Sequence, residues 1–476
     1  MVWELTTNLF LVLYFITIIG IILMLLMENR SPVKSIAWIF VLILLPVVGL
    51  LLYILVGKNF RKKMVISHRS LAKWKERIET IKGNPMLEKS FPKQYKNFAY
   101  MAVNSSNSTL YVNNGVRLFT TGKEFFDSMF AEVEKARKYV HVEFYIFNSD
   151  TIGSKFIEIL KRKAKEGVKV RVIIEDVGSW LMRKSSVREM RAAGIEIYCF
   201  LKVGLPAINS KVNYRNHRKI VVIDGDVGYT GGMNVADRYV EGSKWGAWRD
   251  THLRIEGEAV HGLQRVFLSD WYFVSRSLLS DDPLYYPTPD SPSGNSLVQV
   301  VSSSPDSEWE SIMQTFFMAI AQARNYIYLQ TPYFLPNQTI VNALQCAALG
   351  GVDVRIIIPR HSDASFALKS SMTYIDEMLN AGVKVYFFEE GFIHSKTIVI
   401  DDNLSTVGSA NMDFRSFEQN FEINTWIYDP EFAQTMKHIF LSDLEKSSQI
   451  NLEEWRNRPR LEKFGESWAR LFSPLM

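Results

Sequence analysis

The sequence predicts an α/β protein of two pseudo-symmetric βαβ sandwich halves packed face to face, preceded by an N-terminal two-helix transmembrane hairpin. Three observations carry this. The first 57 residues hold two uncharged apolar stretches. From about residue 111, apolar runs alternate with amphipathic ones. That alternation then occurs a second time in the same order.

Residues 9–27 and 36–56 carry no charge. Each is about 20 residues, or roughly 30 Å of helix, which matches a hydrocarbon core. A cleaved signal peptide fits poorly, because no Lys or Arg precedes residue 30 and no small-residue cleavage site follows. Pro46 and Gly49 should bend the second span. The connector carries Arg30 and Lys34, and the stretch after the second span carries Lys58, Arg61, Lys62 and Lys63. The positive-inside bias therefore places the large C-terminal part in the cytoplasm, against anionic headgroups. Residues 58–110 read as a basic juxtamembrane linker.

The first half is expected over residues 111–290. "KYVHVEFYIF" (138–147) reads as a buried strand and "KFIEILKRKAKEG" (155–167) as a helix closed by Gly167. "VKVRVIIED" (168–176) and "GIEIYCF" (194–200) supply further strands. The second half, 291–476, repeats these in order: "NYIYLQTPYF" (325–334), "GGVDVRIIIPR" (350–360) and "AGVKVYFF" (381–388). A Pro, Ser and Gly-rich seam at 285–296 separates the halves.

Each half then states one phrase, "NHRKIVVID" (216–224) and "IHSKTIVID" (393–401). Along a strand alternate side chains share a face. His217 with Lys219, and His394 with Lys396, therefore point together, while Asp224 and Asp401 fall on the other parity and suit a structural role. Each strand precedes a small-residue turn carrying an asparagine, Asn234 or Asn411.

Two histidines and two lysines form a cationic pocket suited to phosphate. The lysines act as point charges on its oxygens. One imidazole attacks phosphorus and the other protonates the leaving oxygen. Each imidazole needs a carboxylate on its far nitrogen. Asp250 in "WRDTHL" and Glu418 in "RSFEQNFE" are the candidates. A histidine-based metal site is disfavoured by the adjacent lysines, and no third ligand is patterned. The net charge of +5 is not gathered into one run and gives no case for nucleic acid. Cys199 and Cys346, the two cysteines, lie in apolar stretches and are expected as buried thiols without a disulfide.

These residues resemble the phospholipase D superfamily, defined by paired H-x-K-x4-D motifs, here "HRKIVVID" (217–224) and "HSKTIVID" (394–401). The resemblance covers about 111–476. The apolar leader and the closing "RLFSPLM" (470–476) are similar to those of bacterial cardiolipin synthases. The resemblance implies phospholipase D-like halves, no cofactor or catalytic metal, and phosphatidylglycerol in the bacterial inner membrane as substrate. It implies phosphatidyl transfer through a covalent phosphatidyl-histidine on His217, with His394 as general acid and then base. Lys219, Lys396, Asn234 and Asn411 match phosphate-binding positions, and Ser409 would add a hydroxyl near the phosphate. Orienting carboxylates cross between halves in the superfamily, pairing Glu418 with His217 and Asp250 with His394. Hydrolysis by water through the same intermediate stays open, and the oligomeric state is not readable. "WRNRPRLEKFGESWARLFSPLM" (455–476) mixes apolar and basic residues, and suits either a membrane interface or packing on the body.

Overall fold

The structure is a computed structural model that describes residues 2–27, 32–53, 93–202, 213–279, 283–289, 291–471 and 473. The chain divides into two units, Met1–Lys62 with Val203–Asn213, and Lys63–Lys202 with Tyr214–Met476.

In the first unit a helix runs over Val2–Met27 and a second over Pro32–Leu44. The second does not continue as one span. Leu45 leaves helical geometry (φ −126°, ψ 71°) and a new helix starts with Pro46 at its first turn, Pro46–Leu52. Proline lacks the N–H that would continue the ladder, so it restarts a helix more readily than it extends one. Leu25, Leu42 and Tyr53 form a small buried cluster, with Trp38 edge-on to Tyr53. The backbone of Val2–Met27 is 26 residues long, but several of its side chains are not described. Among the described residues, no helix is long and apolar enough to cross a membrane. Residues 54–56 and the cations Arg30, Lys58, Arg61, Lys62 and Lys63 lie outside the described residues.

Among the described residues the second unit holds twenty strands. In chain order they are β1 Leu110–Phe119, β2 Tyr139–Phe144, β3 Lys169–Glu175, β4 Glu196–Phe200, β5 Arg215–Asn216, β6 Lys219–Ile223, β7 Val227–Gly231, β8 Trp248–Arg249, β9 His252–Glu256 and β10 Ser296–Ser303. Then follow β11 Tyr326–Gln330, β12 Phe334–Leu335, β13 Asp353–Pro359, β14 Lys384–Phe388, β15 Phe392–Ile393, β16 Thr397–Ile400, β17 Leu404–Gly408, β18 Met412–Asp413, β19 Asn420–Tyr428 and β20 Ser447–Gln449.

Sixteen of these form one hydrogen-bonded mixed sheet, in the order β20-β14-β13-β11-β16-β17-β19-β10-β1-β9-β7-β6-β2-β3-β4, with β5 beside β19. Reading outward from the β1–β10 contact, the order is equivalent on both sides except that β20 adds an antiparallel edge strand beyond β14. Strands β11, β13 and β14 on one side and β2, β3 and β4 on the other run parallel, and the strands nearer β1 and β10 antiparallel. Gly167 (φ +93°) closes its helix as expected, and Gly351 (φ +92°), at the matching place later in the chain, adopts the same left-handed backbone between a helix and a strand.

β1 serves two partners. Its first residues pair with β10, and after an irregularity at Tyr111/Asn114 its last five pair with β9. The strand thus turns from one set to the other. A single core lies between them, drawing Ile220, Val222 and Leu253 from one set and Val399, Val407 and Ile423 from the other. Helices Val260–Ser275 and Pro430–Glu445 share that core. The strand sets are therefore joined edge to edge as well as packed across a common core. Separate clusters cover the outer faces.

Residues 93–106 fall inside the expected linker but are ordered. The helix Lys96–Ser106 buries Phe98, Ala99 and Ala102 in the core next to Trp426. Cys199 and Cys346 are free thiols, Cys199 half-buried and Cys346 exposed, so neither is the buried thiol expected.

Candidate active site

The two histidines are delivered by reciprocal strand pairings. β5 runs parallel to the start of β19, with Arg215 opposite Asn420 and Asn216 opposite Phe421. The next backbone N–H, that of His217, donates to Phe421 O at 2.9 Å. The next residue of β19 is Glu422, whose two oxygens lie 3.0 and 3.1 Å from His217 Nδ1. On the other side β15 runs parallel to β8, with Ile393 opposite Arg249. His394 N donates to Arg249 O at 2.7 Å. Asp250, one residue on, places Oδ2 2.7 Å from His394 Nδ1. In both places the carboxylate stands one residue beyond a short parallel pair, and comes from the opposite part of the chain.

The carboxylate against His217 is thus Glu422, not Glu418. Glu418 ends the helix Phe414–Glu418, before β19 begins. Only residues within β19 are in register with His217. Ser409 also differs from its expected place. Its hydroxyl donates to Glu422 Oε2 at 2.5 Å and accepts from Ile423 N, so it supports the carboxylate instead of facing a ligand. The equivalent position in the first part is Gly232, where an added Cβ would stand 2.0 Å from Asp250 Oδ1. The shorter aspartate comes right up to the turn, which leaves room only for glycine.

Arg218, between His217 and Lys219, points to the opposite face. It is buried, donating from Nε to Glu422 O at 3.2 Å and ion-pairing with Asp270 at 2.5 Å. Glu422 is therefore held by its backbone and its side chain.

Asp224 and Asp401 sit away from the histidines. Asp224 accepts from the N–H groups of Arg137, Lys138 and Tyr139 at 2.7–2.8 Å. Asp401 does the same with Arg324, Asn325 and Tyr326 at 2.7–2.9 Å. Each carboxylate clamps the start of the strand neighbouring its own, which is the structural role its parity suggested. Asp224→Ala is expected to cost about 1–3 kcal/mol, because three backbone donors lose their acceptor. A lowered melting temperature of the solubilised protein, with turnover per folded molecule within about twofold, checks this.

Both lysines are buried, and each Nζ donates to the carbonyl of its own histidine, Lys219 at 2.6 Å and Lys396 at 2.5 Å. Lys396 Nζ also lies 3.1 and 3.2 Å from the ring nitrogens of His394. Nδ1 already faces Asp250, so the ammonium rests against the ring. Burial lowers both amines, Lys219 to about 7 and Lys396 to about 8. Burial also lowers both imidazoles to about 4, with the adjacent lysines reinforcing it and the carboxylates opposing it. Burial alone would raise Glu422, but His217, Lys219 and Ser409 outweigh it and hold the carboxyl at about 2. At neutral pH the carboxylates are ionised and the imidazoles neutral. Each neutral ring then gives Nδ1–H to its carboxylate and keeps a lone pair on Nε2.

Both histidines open on one cavity of about 500 Å³, also lined by Asn234, Asn411, Tyr145, Tyr239, Trp248 and Tyr333. Asn234 is tied back to Ile146 N and Tyr239 Oη. Asn411 Nδ2 donates to Asp413, while its Oδ1 is buried and has no partner among the described residues. Three further cations in the wall, Arg215, Arg238 and Arg415, carry no motif that marks them in the sequence. Arg238 lies over the rings of Tyr239 and Trp248. This wall suits an anionic ligand with apolar parts. Among the described residues no group of three or more His, Cys, Asp or Glu is placed to hold a metal ion.

Paired His-x-Lys-x4-Asp strands, each histidine backed by a carboxylate from across the chain, define a phospholipase D-like protein. Residues 129–271 and 316–444 match the family described as cardiolipin synthase, phospholipase D-like domain, and residues 12–58 match the phospholipase D-nuclease N-terminal family. The chain belongs to the cardiolipin synthase family. It is 40% identical to a cardiolipin synthase of Geobacillus kaustophilus over 98% of this chain and 94% of that one. The corresponding figures are 39%, 98% and 94% for one of Halalkalibacterium halodurans, and 39%, 94% and 95% for one of Listeria monocytogenes. Among solved structures, a phosphatidylserine synthase of Haemophilus influenzae is similar in fold, with TM-score 0.62 and 14% identity over 80% of this chain and all of that one.

Proposed function

We propose that the chain is a phosphatidyltransferase that makes cardiolipin from two phosphatidylglycerol molecules and releases glycerol. The carrying observation is the pair of crossed histidine–carboxylate contacts opening on one cavity. The family and the relatives' names support the same reading.

His217 Nε2 attacks the donor phosphorus, and the bond from phosphorus to the headgroup glycerol oxygen breaks. His394 gives that oxygen a proton, having gained one as the anionic phosphate raises its basicity. Lys219 and Lys396 hold the non-bridging oxygens. A headgroup hydroxyl of the second phosphatidylglycerol then attacks phosphorus, His394 takes its proton, and the P–N bond to His217 breaks. Asp250 and Glu422 orient the rings and stabilise each imidazolium as it forms. No cofactor is needed for these steps.

The site belongs beside a membrane. Along the first unit Phe15, Ile16, Ile19, Phe40, Ile43 and Leu44 are each at least half exposed, more apolar surface than water tolerates on so small a unit. This supports a membrane-inserted hairpin over 9–27 and 36–56, in the bacterial inner membrane with the catalytic part cytoplasmic. The equivalent strand orders about β1 and β10 support two duplicated halves, 111–290 and 291–476, with residues 93–106 part of the body and not linker.

Incubation with phosphatidylglycerol alone tests the reaction. Cardiolipin with an equal amount of glycerol is expected. Phosphatidic acid as the sole product would make the enzyme a hydrolase, and no turnover would make it a scaffold.

A further inference from the structure

We propose that the outward face of the helix Arg460–Arg470 lies in the bilayer interface, and that lipid passes from it into the cavity along Phe366. The proposal rests on the lipid substrate argued above.

Leu461, Phe464, Trp468 and Leu471 recur at helical spacing and are 82%, 69%, 52% and 74% exposed. They form one apolar stripe facing away from the body. The opposite face is fixed. Ala469 and Glu466 are buried, Glu466 is held by Arg458, and Arg470 pairs with Glu377 at 2.6 Å. The helix is therefore a docked element that holds its apolar side outward, not a loosely attached tail. Trp468 meets Phe366 edge-on, ring centroids 6.0 Å apart. Phe366, 40% exposed, is itself part of the cavity wall. The exposed stripe thus reaches, through Trp468, a residue of the wall of the cavity that holds both histidines.

The occupant follows from charge and continuity. Arg460 and Lys463 border the stripe on one side. Cations beside an apolar stripe rich in Phe, Trp and Leu match an anionic headgroup layer over acyl chains. An ordered protein partner would not also have to reach the active cavity; a lipid substrate must.

The test uses the full chain with Cys199→Ser, Cys346→Ser and Phe464→Cys, labelled with a polarity-sensitive fluorophore and reconstituted in phosphatidylglycerol vesicles. Its emission is expected to shift to the blue and to be quenched by lipids brominated on their acyl chains. The same label through Leu349→Cys, 74% exposed elsewhere on the body, is expected to remain in water. A water-like, unquenched label at position 464 overturns the proposal. So does a blue shift that appears in lipid-free detergent and grows with protein concentration, which would identify a second copy as the occupant. This readout needs no turnover. A shifted label without cardiolipin formation would fault the reaction and leave the docking standing. As a second measurement, Leu461→Ser/Phe464→Ser is expected to lower turnover on vesicles about tenfold while turnover in detergent mixed micelles stays within about twofold. Equal losses in both would also overturn it.

Discussion

His217→Ala is expected to abolish both turnover and the covalent phosphatidyl adduct, whereas His394→Ala is expected to abolish turnover and still allow an adduct to form slowly. The difference lies in what each ring does in the proposed reaction. Without His217 there is no nitrogen to bond phosphorus. Without His394 the leaving oxygen lacks a proton donor and the acceptor hydroxyl lacks a base, but the nucleophile stands. Groups acting as one unit lose about 10⁴-fold or more on removal. Quenching with cold detergent denaturant at mildly alkaline pH, which spares the acid-labile P–N bond, and following labelled phosphatidyl on the protein separates the two variants. An adduct on His217→Ala would move the nucleophile to His394. The same ring sets an acid limit. Burial holds His217 near 4, so turnover is expected to fall as pH drops through about 4, where protonation removes the Nε2 lone pair.

Much of this site was legible from strand parity. His217, Lys219, His394 and Lys396 come together, and the two aspartates of the motif turn away to clamp backbone, as alternation along a strand requires. The repeat was legible because its strands are continuous apolar runs and its helices end in glycine. What was hidden depends on contacts between distant segments. "RSFEQNFE" offers two glutamates four residues apart, and local sequence does not choose between them. The choice is made by β5 lying beside β19, a pairing of residues some 200 positions apart. The hydroxyl of Ser409 turns to Glu422 because the antiparallel pairing of β17 with β19 sets it there. The arginines of the cavity wall lie on three separate segments, so no motif marks them. The helix Lys96–Ser106 reads as linker because it has no counterpart in the repeat, and its packing on Trp426 comes only with the folded body. Leu45 breaks the second apolar stretch because a proline follows it, although hydropathy there is uninterrupted.

The register that selects Glu422 makes a sharp contrast between two neighbouring glutamates. Glu422→Gln is expected to lower kcat about 10³–10⁴-fold, and Glu418→Gln to leave it within about threefold. The argument is electrostatic as well as geometric. Glu422 is fully buried, its carboxyl held at about 2 by His217, Lys219 and Ser409, so it is an anion at every pH at which the enzyme works. It fixes the tautomer that leaves Nε2 free, and it opposes the positive charge that His217 acquires on bonding phosphorus. Glutamine keeps the size and removes the charge. Its amide can also donate to Nδ1, which would select the wrong tautomer and take the lone pair from the cavity side. Substrate binding, which the proposed reaction assigns to the lysines and the arginine wall, should change little, so the loss is expected in kcat with KM within about threefold. Melting temperatures within a few degrees of the parent would show that the buried site still folds, since Ser409, Asn420 and Arg218 keep partners around position 422. Full activity in Glu422→Gln, or a comparable loss in Glu418→Gln, would mean that the β5–β19 register does not orient the nucleophile.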